Sequence, residues 1–331
     1  MFSPKNLRAF RRLLLRWYRH HERDLPWRKT RKPYAILVSE FMLQQTQVAA
    51  VVPYYNDWLR RFPDFAALAH ASENEVLHAW QGLGYYARAR NLRASAKLVQ
   101  DRHGGVFPRQ LDAMRELPGV GRYTANAIAT FAFDQPVPIV EANTARVLAR
   151  LFNINAPIDS ATGRERLWSS AARLIPKRAA GVFNSALMDL GALVCRPQPR
   201  CAICPVKTFC RATNPETLPV KKPRTRTQHL IETHAFARKR KQILLERSSG
   251  RWRGMWILPP LKLDCFKQSR SSRGLIHTSI FPFTNHHVTL RVFAHRARKI
   301  DNRRQRWFEI GALDSIPIPS PHRRAISSLL Q

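Results

Sequence analysis

The sequence predicts a mainly α protein that ends in a small α+β module. Three observations carry this reading. Through residue 215 the apolar residues recur at helical spacing. Beyond residue 228 the pattern shifts to short runs rich in β-branched and aromatic residues. Between the two, Pro215, Pro219 and Pro223 flank Lys221, Lys222, Arg224 and Arg226, which reads as a basic linker over 216–228. The expected domains are therefore 1–215, a helical core, and 229–331, the smaller module. A chain of 331 residues accommodates about two domains of roughly 150 residues each. Its 44% hydrophobic content excludes wholesale disorder.

Each element follows from local pattern. Ser3 and Pro4 are start signals for a first helix, in which Leu7, Phe10, Leu14 and Trp17 share a face. The same Arg-rich, acid-poor stretch has the composition of a mitochondrial address, but an amphipathic helix is the favoured reading. Further helices are expected near 35–60, 73–80, 85–102, 111–116, 122–133, 143–152, 162–174 and 179–194, with Pro and Gly breaking them at intervals. Ile231–Ala237, Gln242–Leu245 and His287–Phe293 read as short strands, and 267–274 (KQSRSSRG) as a flexible basic loop. No internal repeat is evident.

Charge narrows the partner. The chain carries 56 Lys and Arg against 22 Asp and Glu, a formal +34. Residues 1–220 hold 32 basic and 16 acidic residues, and residues 221–331 hold 24 and 6, so the last third has more than half of the excess. Such a surface attracts polyanions, nucleic acid first and an anionic membrane surface second. No apolar run approaches the ~18 residues of a membrane span. No secretory signal with an apolar block and cleavage site is visible at the N-terminus.

Four constellations carry chemistry. Leu117-Pro118-Gly119-Val120-Gly121, followed by Arg122, sits between two helical stretches. Its glycines permit a tight turn, and the next helix's N-terminal amides can bind a phosphate, although an ordinary helical turn has the same spacing. Cys195-x5-Cys201-x2-Cys204-x5-Cys210 puts four thiols in one loop, fit for one metal centre, with zinc and a [4Fe–4S] cluster both open on spacing alone. Arg196, Arg200, Lys207 and Arg211 interleave with them, and Cys265 stands apart as a buried or idle thiol. Glu40 is the single carboxyl of the otherwise apolar helical stretch in Pro33–Thr46 (PYAILVSEFMLQQT). If buried it has a raised pKa and can act as a general acid; if exposed it is an ordinary glutamate. Gln44 and Gln45 suit base edges or solvent equally. In Gly82–Asn91 (GLGYYARARN), aromatic residues beside glycines and arginines suit wedging into a base stack, or simply packing a core.

Together LPGVGRYTANAI, SEFMLQQTQV, GLGYYARARNL, FNSALMDLGALVC and the cysteine loop resemble the adenine DNA glycosylases of the MutY type. These belong to the base-excision glycosylases related to endonuclease III. The resemblance runs from about residue 8 to 218. RWRGMWILP is similar to part of that family's Nudix-like C-terminal domain. It implies a two-lobed helix–hairpin–helix glycosylase core, with the hairpin at about 111–133, an iron–sulfur loop at 195–210 and a shortened Nudix-like domain at 229–331. The implied substrate is adenine mispaired with 8-oxoguanine or guanine in duplex DNA. The adenine is flipped out and excised by a monofunctional enzyme that leaves an abasic site.

By the same resemblance Glu40 is the general acid, and Tyr123 and Asn143 support it. Tyr123 stands where endonuclease III has the lysine that forms a Schiff base, so water is the expected nucleophile. Glu141, in PIVEANTARVLAR, stands where the family has the aspartate that stabilises an oxocarbenium-like transition state. It keeps the charge and adds a methylene, and retained activity is the favoured expectation. Gln45 and Tyr85 match residues inserted into the opened duplex; Arg88, Gly119, Gly121 and Arg122 join them in binding DNA. Leu25, Trp27, Arg28 and Ser185 match the adenine pocket. The cysteines match the ligands of a [4Fe–4S] cluster, with a first gap one residue shorter than usual. Phe283, Thr284 and Asn285 correspond to the family's Phe-Ser-His lesion loop, altered at two positions. A monomer in the bacterial cytoplasm, associated with the nucleoid and with no membrane partner, is expected. The rivals are a glycosylase of the same fold with another base specificity, and a non-catalytic protein that binds mismatched DNA.

Overall fold

A computed structural model describes residues 3–223, 226–261, 274–296 and 300–331. Cys265 and residues 267–273 of the expected basic loop lie outside the described residues. The chain divides into two compact units, Met1–Ala69 with Ala94–Pro223, and His70–Arg93 with Arg224–Gln331.

The first unit is helical. Helix α1 (Pro4–Tyr18) starts with Pro4 in its first turn and Ser3 capping the Asn6 amide at 3.2 Å, and it buries Phe10, Leu14 and Tyr18. Helix α2 (Pro33–Leu43) is buried from Tyr34 to Met42, as expected of a helix apolar all round. The single helix expected near 35–60 is two. The chain breaks at Gln44–Gln47, where Gln45 takes a left-handed φ of 56°, before α3 (Val48–Arg61). Short α4 (Phe65–His70) follows; α5 (Glu73–Ala79) and the start of the long α6 (Ala87–His103) fall in 70–93, outside this unit. Helices α7 (Leu111–Arg115) and α8 (Arg122–Phe133) flank the Gly119–Gly121 turn. Three more follow, α9 (Ala142–Leu151), α10 (Ala161–Leu174) and α11 (Ala180–Asp189), the last continuing into a π-helical turn at Leu190–Val194.

Helix α2 packs on α3 and α8, and α11 on α1, α8 and α9. Phe10 meets Phe183 edge-on at 6.4 Å in the α1–α11 core. Asp134 joins α8 to α11: its carboxylate accepts from the Ala179 and Gly181 amides at 2.9 and 3.0 Å, which fixes the start of α11. The expected linker is tied down as far as Lys222. The Ile158 amide donates to Val220 and the Lys222 amide to Asp159.

The second unit is built on two sheets. Strands β1 (Gln228–Phe236), β2 (Arg238–Lys239), β3 (Gln242–Arg247), β4 (Trp256–Ile257), β5 (Leu275–Phe283), β6 (His286–Ala294) and β7 (Gln305–Glu309) are followed by helix α12 (Ser320–Leu330). One sheet has the order β1-β6-β5, with β1 parallel and β5 antiparallel to β6. The other joins β2, β3 and β4, with β7 on β3. Val288, Leu290 and Val292 alternate into the core along β6, the period of two that marked this strand in the sequence. The segment 70–93 belongs to this unit. Gly254, at φ 84°, lies so close to α5 that an added Cβ would come within 3.2 Å of Leu77, so only glycine fits there.

Candidate active site

Within the first unit a cavity of about 780 Å³ opens among α2, α8, the start of α9 and α11. Glu40, Tyr123, Glu141, Asn143, Trp27 and Ser185 line it, so six residues scattered over 159 positions of sequence converge on one chamber.

Glu40 follows from its helix. An apolar α2 must be buried, and Glu40 goes in with it at 4% exposure. Its Oε2 has no hydrogen-bond partner among the described residues. Burial raises its pKa to about 7; the Tyr123 hydroxyl, which donates to it, opposes the rise, and the nearby Glu141 charge adds to it. The Tyr123 phenol is pushed well above its ordinary value by burial and then by both carboxylates, so it stays protonated and remains a donor.

Glu141 is the N-cap of α9. Its Oε2 accepts from the Asn143 amide at 2.7 Å and its Oε1 from Thr144 at 2.8 Å, and the Thr144 hydroxyl takes the Glu141 amide in return at 2.8 Å. Burial raises its pKa, while these amides and the Arg146 and Arg23 charges pull it down. The extra methylene is thus absorbed by folding the side chain back on its own helix terminus, where the dipole favours a negative charge. The Asn143 side chain accepts from Arg146 at 2.8 Å, and Arg146 in turn donates to the Cys195 and Gly191 carbonyls.

The expected base pocket has a foundation that sequence reasoning missed. Asp189, fully buried, accepts from Arg28 Nη1 and Nη2 at 2.6 and 2.8 Å, and from Arg23 Nε at 2.6 Å. Those partners overcome desolvation and hold its carboxyl below the ordinary range, even as burial works the other way. Arg28 is thereby oriented beside Trp27, whose ring meets Tyr55 edge-on at 5.4 Å. Leu25 and Ser185 are buried in the same wall. The signal was present: Asp189 is the only acid in the otherwise apolar FNSALMDLGALV, the argument used for Glu40.

The turn before α8 has open amides. Gly119 takes φ 80°, and Gly121 caps α8 without a side chain, a Cβ there having nothing within 4 Å. Nothing in the fold demands glycine at 121, so its effect is to leave the helix terminus clear for an approaching anion. Arg122 lies over the Trp168 ring at 4.0 Å. Gln45 is exposed at the break after α2.

The four cysteines lie in or just after three short helical turns, Leu190–Val194, Cys201–Ile203 and Lys207–Phe209. Arg150, 2% exposed, holds the loop from beneath. It donates to the carbonyls of Leu218, Arg196 and Pro197 and lies 3.4 Å from the Cys195 Sγ. The Cys204 thiol is pushed up to about 11, chiefly by burial, and the thiols of Cys195, Cys210 and Cys201 add to the rise. Four mutually interacting thiols thus share one loop. No three acidic, His or Cys groups among the described residues close on a single ion. Four thiols gathered in one loop are a donor set that either zinc or a [4Fe–4S] cluster takes.

Tyr85, Arg88, Phe283, Thr284 and Asn285 all belong to the second unit. Tyr85, at φ 46°, stacks on Phe283 with centroids 6.5 Å apart, and Arg88 lies 5.6 Å from the Tyr85 ring centroid. Thr284 and Asn285 form the two-residue turn between β5 and β6. Their polar atoms are used locally, Thr284 Oγ1 with Asn285 and His286 at 3.3 Å.

Residues 38–172 match the family model of the HhH-GPD superfamily base excision DNA repair proteins. Over 200 residues the chain is 44% identical to the adenine DNA glycosylase of Mycolicibacterium smegmatis, covering 60% of this chain and 67% of that one. It is 48% identical over 214 residues to the human adenine DNA glycosylase, 62% of this chain and 39% of that one. The chain spans about two fifths of the mammalian relatives it matches. Among solved structures, a thermostable thymine-DNA glycosylase aligns with a TM-score of 0.58 at 32% identity, over 62% of this chain and 96% of that one. A non-covalent endonuclease III–DNA complex aligns at 0.54 and 23% identity, over 64% and 96%, and shares the fold. With two thirds of a bacterial relative covered at 44% identity, the chain belongs to the adenine DNA glycosylase family of the HhH-GPD superfamily.

Proposed function

We propose that this protein is a monofunctional adenine DNA glycosylase that excises adenine mispaired with 8-oxoguanine or guanine in duplex DNA and leaves an abasic site. The observation that carries the reading is Glu40, a buried carboxyl with a pKa near neutrality, alone in an apolar helix and facing a cavity large enough for a base. Protonated Glu40 gives its proton to a ring nitrogen of the flipped adenine. The C1′–N9 bond then breaks, the electron pair leaves with a neutral base, and Glu141 stabilises the positive charge left on the sugar. Water adds at C1′ and its proton returns to Glu40 or to solvent. Tyr123 contributes a protonated phenol, which orients Glu40 and forms no imine.

Cys195, Cys201, Cys204 and Cys210 would hold a [4Fe–4S] cluster. Bound there, it ties four thiolates into one rigid loop; hydrolysis of a glycosidic bond transfers no electrons, so its part in this step is structural. The second unit would be the shortened Nudix-like domain, with Phe283–Asn285 reading the base opposite adenine. A monomer acting in the bacterial cytoplasm at the nucleoid completes the proposal.

Single-turnover release of adenine opposite 8-oxoguanine, guanine and cytosine tests it, with borohydride added to one set. Release without trapped covalent complex is expected; a trapped complex would refute the monofunctional assignment. The identity to a thymine-DNA glycosylase favours one second reading, and release of thymine in place of adenine would establish it.

A further inference from the structure

We infer that Arg251 sets selectivity for the base opposite the excised one, as a positioning residue acting through Phe283 and Tyr85; the inference rests on the glycosylase reading above. Within the second unit these side chains form one continuous ladder. Arg88 lies 5.6 Å from the Tyr85 ring centroid, Tyr85 stacks on Phe283 at 6.5 Å with 27° between planes, and the Arg251 guanidinium lies 4.4 Å over Phe283. Trp252 braces the same Phe283 edge-on at 5.6 Å.

The two ends of this ladder differ. Arg88 is anchored on backbone, donating to the Leu83 carbonyl at 2.9 Å and Gly84 at 3.2 Å. Arg251 is held by one side-chain contact, Nη2 to Glu232 at 3.3 Å, and its buried Nη1 has no partner among the described residues. A guanidinium left short of an acceptor gains little from hydrogen bonding there, so its contact with the Phe283 ring is what its position secures.

What rests on it lies at the edge of the fold. Phe283 ends β5 and leads into a two-residue turn with Thr284 at φ 53°, while Tyr85 is 40% exposed with a left-handed backbone. Neither ring is enclosed by a core, and each is aligned mainly by its neighbours in the stack. Thr284 Oγ1 is engaged with Asn285 and His286 and the Asn285 carbonyl accepts from the Gln228 amide, so the flat faces of Tyr85 and Phe283 are the larger surface for sorting one purine from another. Removing the cation at the base frees Phe283, and Tyr85 with it.

The test is binding selectivity. Full-length protein carrying Glu40→Gln, which holds substrate uncleaved, is titrated with duplexes bearing adenine opposite 8-oxoguanine or guanine, and the Kd ratio is read by anisotropy. Arg251→Met, which keeps the aliphatic stem, should lower the ratio roughly tenfold, the size of a partly desolvated cation–π contact. Arg251→Lys should recover most of it. Arg247→Met, which removes the same charge from an exposed position on β3, should leave the ratio within about twofold while weakening both duplexes alike. If Arg251→Met behaves as Arg247→Met does, or the parent shows no preference at all, the inference is overturned. Excision assays on the parent with Glu40 restored run alongside. A selectivity that depends on Arg251 in a protein that releases no base would sink the glycosylase reading and leave this one standing.

Discussion

The state of a single proton decides whether Glu40 can work. A general acid must hold it, so excision should fall as pH rises through about 7, where burial has moved this carboxyl. Glu141 must be ionised, and its own pKa is raised by burial, so the rate should also fall on the acid side. The two carboxyls interact, and the limbs belong to the pair. Single-turnover rates across roughly pH 5 to 9 give the profile; a rate flat through the alkaline limb would remove Glu40 from its role. Glu40→Gln should cost about 10²–10⁴-fold with folding intact. At position 141, aspartate keeps a capping carboxylate and should match or exceed the parent rate. Alanine removes charge and cap together, and should lose activity along with about 1 kcal/mol of stability by thermal melting. An alanine variant as fast as the parent would refute the electrostatic role. Sequence sufficed to single out Glu40, because a lone acid in an apolar helix is visible as a pattern. It did not reveal that Glu141 folds back onto α9, since that depends on torsions and not on residue type.

Helices and loops add constraints of their own. Their periodicity located most of the helical core, yet the break between α2 and α3 escaped it, because the polar run Gln44–Gln47 fits an exposed helical turn as well as a break and the left-handed backbone at Gln45 leaves no mark in composition. Asp189 was hidden for a related reason. Its importance lies in meeting Arg23 and Arg28 from more than 160 residues away, a convergence no local window contains. Arg150 is a similar case, a residue of α9 that no sequence pattern singles out. It is the pin of the cysteine loop, a buried cation satisfied by three carbonyls. Arg150→Gln should leave some of them unpaired, at a cost of about 1–3 kcal/mol. Iron and sulfide per chain should drop, and the brown colour with them, while a Lys207→Gln control on the exposed face keeps both. Full iron loading in the Arg150 variant would show that the loop needs no such pin.

At the level of the whole molecule, the +34 charge pointed to a polyanion, while the proposed acid is one buried carboxyl, Glu40. The composition shift near residue 220 was legible, because β-rich and helical patterns differ in period. The partnership of 70–93 with the C-terminal residues was not, since nothing in a helical stretch declares which sheet it will pack on. Deleting everything after Pro223 should therefore uncover Trp80 and Tyr86, the latter braced edge-on by Trp252 at 6.3 Å. Limited proteolysis should then cut within 70–93, and intact resistance there would refute the grouping. This discontinuity also bears on biosynthesis. As the chain leaves the ribosome at about 5–20 residues per second, α5 and its neighbours emerge roughly 7–30 s before the C-terminal residues they pack on. During that interval their apolar faces must be sheltered by a chaperone or by transient burial. A slow codon or a stall in the last third of the message should therefore show up as misfolding in its first third.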